Sequence, residues 1–132
     1  MILFSLYCLV GKNDMDKFNI GIELLYQLPI KAKQHLNIDT SLIPYSILIT
    51  VIRHSIRNEN LSVKSLFSQL PYSVMGVRHH FNILIDSGWV ELKESESDKR
   101  VKIIAPSEKL HSRINLLIDD LSLVANYENL RR

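Results

Sequence analysis

At 132 residues, 46% of them hydrophobic and 23% charged, the chain has the length of one domain and enough apolar material for a real core. Gly and Pro number only four each, which argues against a chain dominated by disorder. A net charge of +2 does not announce a nucleic-acid partner, so such a reading has to rest on where the charge sits. The single cysteine, Cys8, excludes an intrachain disulfide framework and fits a reducing, cytoplasmic setting.

Met1 to Val10 are apolar but lack the positive start and small-residue cleavage site of a secretory signal. Gly11-Lys12-Asn13-Asp14 ends the run well short of the about 20 apolar residues that span a bilayer, so no membrane partner is expected. Residues 1–15 read as an arm that packs on the body or on a partner subunit, or as an upstream artefact if translation starts at Met15. Cys8 has only apolar neighbours and no adjacent cation, so it reads as an inert thiol.

Residues 16–132 read as a single domain. Asp16 to Leu36 has helical periodicity, with Phe18, Ile22 and Leu25 on one side and Ile20, Leu24 and Leu28 on another. A helix apolar on two faces suits more than one packing partner. Pro29 should kink or split it. Asp39 or Ser41 can cap a second helix reaching about Arg57, with Pro44 acceptable in its first turn. Ile43, Ile47, Leu48, Val51, Ile52 and Ile56 make that helix the central core element.

The elements then shorten. Ser62 caps a helix holding Val63, Leu66, Phe67 and Leu70, and Pro71-Tyr72 turns the chain. Ser73 caps the next helix, which Ser87-Gly88 terminates. Trp89 to Lys93 and Arg100 to Ala105 are strand-like and joined by polar residues. Pro106 breaks the second strand and Ser107 caps a long final helix, residues 107–130. The order is mainly α, about five helices with a two-stranded β-wing: a winged helix-turn-helix.

Helical steps of 100° from Ser73 to Ser87 place Val74, Val77, Phe81, Leu84 and Ile85 on a core stripe. Met75, Gly76, His79, Asn82 and Ile83 occupy the opposite face, with Arg78 and His80 on its flanks. Leu61 to Phe81 contains no acid while Lys64, Arg78, His79 and His80 are present, which suits a polyanion whose counterions are released on binding. Gly76 costs about 1 kcal/mol in a helix interior relative to Ala. Two readings account for it, close approach of the backbone to DNA and close helix–helix packing.

In the hairpin, Val90 and Leu92 alternate with Glu91 and Lys93, giving one core face and one wet face. An Asp two residues before an Arg, as in Asp98-Lys99-Arg100, can hold the guanidinium in one orientation for a minor groove. Lys99 and Lys102 are then phosphate contacts, while Glu94 and Glu96 oppose the same backbone.

Over Leu61 to Pro106 the chain resembles the MarR family of winged-helix regulators. The carriers are Leu84, Gly88 and Trp89 at the end of the recognition helix and Asp98-Lys99-Arg100 in the wing. The resemblance implies a homodimer on double-stranded DNA, with a recognition helix in each major groove and wings in the adjacent minor grooves. It aligns Asp98 and Arg100 with the family's wing Asp-x-Arg. His79 falls where such proteins often carry Arg after a small polar residue, but here the preceding position is Arg78.

In the final helix, Leu110, Ile114, Leu117, Leu121 and Val124 recur at spacings of 4, 3, 4 and 3, a short coiled-coil-like seam. Either a second subunit or the first helix of the same chain can fill it, and dimerisation through the terminal helices is the expectation.

Metal binding is not expected, because His79 and His80 project about 100° apart and no Cys cluster is present. Motifs for phosphate loops, nucleophile elbows, dinucleotide sites and zinc proteases are absent, so no cofactor and no catalysis are expected. The expected function is transcription regulation. Arg78, His79 and Asn82 would meet the major groove, Met75 base methyls, Ser73 the phosphates and Arg100 the minor groove, with Ser62 and Lys64 also among the DNA-binding residues. The rival is a winged helix used only for protein interaction, since the fold alone does not fix function. A small-molecule effector is compatible with either reading.

Overall fold

The computed structural model describes residues 12–38 and 41–130. Met1 to Gly11, with most of the expected arm and Cys8, lie outside the described residues. The elements in chain order are α1 (Lys12–Leu36), α2 (Leu42–Ile56), β1 (Leu61–Ser62), α3 (Val63–Gln69), α4 (Val74–Asp86), β2 (Val90–Glu94), β3 (Lys102–Pro106) and α5 (Glu108–Leu130). Five helices and a small antiparallel sheet make a winged helix-turn-helix, as the sequence leads one to expect.

Local chemistry sets the boundaries. Ser41, Ser62 and Ser73 each accept a hydrogen bond from a backbone N–H of the helix that follows, at 3.2, 3.1 and 3.1 Å. Ser107 does the same for α5, accepting from Leu110 N–H at 3.2 Å while donating to the Trp89 carbonyl at 2.9 Å. This one buried hydroxyl therefore starts α5 and ties it to the root of the wing.

Three expectations need correction. Lys12 to Met15 belong to α1 and not to the arm. Pro29 does not split α1, which runs continuously to Leu36. Pro29 and Leu25 are both exposed, so the carbonyl deprived of its donor can be hydrated instead. The sheet has three strands in the order β1–β3–β2, because Leu61 and Ser62 pair with Ile104 and Ile103. A two-residue strand leaves no alternating pattern to read. Of the two partners open to the seam of α5, α1 is the one in place: it packs along α5, and Leu110, Ile114 and Leu117 are buried in the single core.

That core gathers Ala32 and Leu36 of α1, Ile47, Leu48 and Val51 of α2, Leu66 of α3, and Val77, Phe81 and Leu84 of α4. Between α1 and α5, Asp120 accepts a hydrogen bond from His35 Nε2 at 2.7 Å, with Lys31 Nζ at 3.6 Å. The His35 hydrogen bond holds the Asp120 carboxyl below its usual range; burial opposes this and the Lys31 charge adds to it. A depressed carboxylate contributes stability above its ordinary pKa and loses it as pH falls through the lowered value. Asp120→Asn is expected to lower the denaturation midpoint at neutral pH, with the gap from the unaltered chain closing on acidification. A gap constant with pH would rule out this clasp.

Candidate nucleic-acid interface

The turn between α3 and α4 is held from below. Tyr72 packs on the core and its hydroxyl lies 3.2 Å from Ser46 Oγ of α2, which ties the start of α4 to α2. Burial of Val77, Phe81 and Leu84 then decides which side of α4 faces out. Met75, Arg78, His79 and Asn82 are exposed, Met75 at 84%. Val74, expected on the core stripe, is exposed as well, because at the first turn of α4 it points past the core toward the wing.

Gly76 is half-buried, and a Cβ there would sit 3.0 Å from Ser73 Oγ and 3.3 Å from Ile43 Cδ1. Of the two readings, close packing is the one its surroundings account for: the missing side chain makes room for the cap and for α2. The Ser73 hydroxyl accepts from Gly76 N–H and retains a proton to donate outward.

The wing is ordered at its tip. Asp98 Oδ1 accepts from Arg100 N–H at 3.0 Å and from Arg100 Nε at 3.3 Å, although the Arg100 side chain is 91% exposed. An exposed arginine held by its neighbour loses less rotamer freedom when it meets an anion. Glu94 is partly accounted for too, since its carboxylate takes a hydrogen bond from Lys102 Nζ at 3.3 Å. Lys99 and Glu96 are exposed on the same turn.

An open groove of about 790 Å³ lies between α3, α4 and the wing. Ser62, Lys64, Arg78, Arg100 and Lys102 line it, so residues from four elements converge on one surface with no acid in its lining. His79 and Asn82 are not in this lining; His79 borders a smaller pocket with His80 and Asn37 near the end of α1. The two imidazoles stand edge to face at 5.2 Å, and no metal-binding group of three or more ligands occurs among the described residues.

Sequence reasoning ended α4 at Ser87-Gly88 but missed the contact from α5 that closes this corner. Gly88 has φ +79° and turns the chain from α4 into β2, where Trp89 N–H bonds the Leu84 carbonyl at 2.9 Å. Lys109 of α5 closes the same corner: its Nζ lies 4.2 Å from the Trp89 ring centroid and donates to the Ser87 carbonyl at 3.1 Å. Twenty-odd residues separate these partners, and no periodicity reports such a contact. Asp86 is exposed on the outer face one turn beyond Asn82, so the acid-free character of α4 stops at its last turn.

No family model and no curated protein matches the chain. Solved structures do. AbsC, a MarR family transcriptional regulator from Streptomyces coelicolor, superposes with a TM-score of 0.57 at 13% identity, over 92% of this chain and 82% of that one. The fold is that of the MarR-type winged-helix regulators. AbfR in its reduced form bound to DNA matches at TM-score 0.53 and 20% identity, over 92% and 84% of the two chains. The heme sensor protein PefR from Streptococcus agalactiae, in complex with heme, matches at 0.52 and 17%, over 84% and 77%. With identities this low the MarR-type likeness is one of architecture alone.

Gly88→Ala meets no atom within 4 Å, so its cost is one of backbone conformation alone. It is expected to destabilise the fold by about 1 kcal/mol, measured by denaturant unfolding, with Gly88→Asn recovering part of the loss. An unchanged midpoint for the Ala variant would contradict this account of the corner.

Proposed function

We propose that this chain is a double-stranded DNA-binding transcription regulator that acts as a homodimer. The observation that carries the proposal is the convergence of Lys64, Arg78, Arg100 and Lys102 on one acid-free groove beside the exposed face of α4. In this reading α4 enters the major groove with Met75, His79 and Asn82 toward base edges, and Arg100 reaches the adjacent minor groove. Ser62, Lys64, Ser73, Lys99 and Lys102 meet phosphates, which position the protein without carrying sequence information. The DNA-bound state of AbfR, a protein of the same fold, supports the partner class.

Two copies are needed because one recognition helix covers only a half-site. Since α1 fills the seam of α5, the second copy has to cover another surface. Ile22, Leu25, Tyr26 and Ile30 are exposed along one side of α1, at the spacing of a single helical stripe. Leu116, Ile118 and Leu123 of α5 are exposed as well. A small-molecule effector has a place in the apolar pocket of about 240 Å³ between α1 and α2, lined by Leu28, Pro29, Ala32, Ile38, Leu42 and Tyr45.

Affinity for random duplex DNA is expected to fall steeply with salt, with the slope of the log–log plot reduced by about one unit in Arg100→Ala. Absence of binding at low salt would sink the DNA reading in favour of a protein-interaction module. Leu25→Glu combined with Tyr26→Lys is expected to convert a dimer into a monomer by analytical ultracentrifugation and to weaken DNA binding. A monomeric unaltered chain, or a dimer that survives the double substitution, would remove α1 from the interface.

A further inference from the structure

Three of the four cations of the groove are held, and in different ways. Arg100 is tied to Asp98 and Lys102 to Glu94, so each shares its charge with a carboxylate. Arg78 is tied instead to an aromatic ring: its guanidinium carbon lies 5.7 Å from the centroid of Phe67. Phe67 is in turn fixed to the core, its ring standing edge-on to the buried Phe81 at 5.8 Å and 85°.

A cation–π contact orients a guanidinium without cancelling its charge. Orientation here means the groove side of α4. Arg78 and Val74 line the groove with α3 and the wing, whereas Asn82 and His79, farther round the helix, do not. Arg78 is thus held on the side of α4 that faces α3 and the wing.

We propose that Phe67 is a positioning residue that holds Arg78 as a phosphate ligand, so that Arg78 of α4 and Lys64 of α3 clamp one stretch of DNA backbone beside the minor groove that Arg100 enters. Base discrimination then rests on Met75, His79 and Asn82. This refines the groups placed at the major groove above, and it rests on the DNA-binding reading.

The test uses the full chain, a duplex selected from random sequence by its binding, and a scrambled duplex of the same length. Arg78→Gln is expected to weaken both duplexes by the same factor and to lower the salt slope by about one unit. Asn82→Ala is expected to weaken only the selected duplex and to leave the slope unchanged. Phe67→Leu, which keeps an apolar side chain in the core, is expected to weaken both duplexes about threefold, with Phe67→Tyr restoring them. In the Arg78→Gln background Phe67→Leu is expected to change nothing, an outcome that a merely structural Phe67 does not produce.

Loss of preference for the selected duplex in Arg78→Gln would overturn the clamp and make Arg78 a base reader, with the DNA-binding function intact. Additive losses from Phe67→Leu and Arg78→Gln would overturn the positioning role of Phe67. If Phe67→Leu does not fold by circular dichroism, the two Arg78→Gln readings still decide the phosphate assignment. Failure of the unaltered chain to bind either duplex would overturn the clamp and the proposed function together.

Discussion

Burial of Val77, Phe81 and Leu84 against the α2 residues Ile47, Leu48 and Val51 sets the rotation of α4 about its own axis. A slip of one residue turns a helix by about 100°, enough to bring Met75 and Asn82 toward the core and Val77 toward solvent. Every feature of the outer surface follows from this packing. It decides that Asn82 faces out, that Arg78 lies beside Phe67, and that Gly76 meets Ile43. The caps at Ser73 and the corner at Gly88-Trp89 then fix where along its axis α4 begins and ends.

The groove illustrates how a chain with a net charge of only +2 can present a cationic surface. Its cations come from α3, α4, the wing tip and β3, which are distant in sequence and adjacent only when the wing folds beside α3. The acids of the wing do not line it. Asp98 and Glu94 are engaged with Arg100 and Lys102, so they restrain cations as well as offsetting them. Surface pairs of this kind add little stability, typically about 0–1 kcal/mol, and their consequence is orientation.

The packing of α1 along α5 has a second effect. By filling the seam of α5 it leaves the opposite side of α1 as the larger uncovered apolar stripe. Large exposed apolar stripes mark interaction surfaces, and the proposed two-fold dimer built on this one would present the same surface from both copies. Asp120, reached by both His35 and Lys31, holds the two helices in register across the chain.

Much of this was legible in the sequence, because local physics writes it there. The serines capping α2, α3, α4 and α5, the glycine that needs positive φ, the buried stripe of Val77, Phe81 and Leu84, and Asp98 beside Arg100 all act within a few residues. What only the tertiary structure decided involves partners far apart in the chain. The acid-free recognition face and the Asp98-Lys99-Arg100 turn were separately visible, yet the meeting of Arg78 and Arg100 in one groove depends on β1 pairing with β3 beside α3. Packing also chose between readings that periodicity leaves equal, since a heptad-like seam looks the same whether its partner is α1 or a second chain. Spacing reports that a face is apolar; only the three-dimensional arrangement says what covers it.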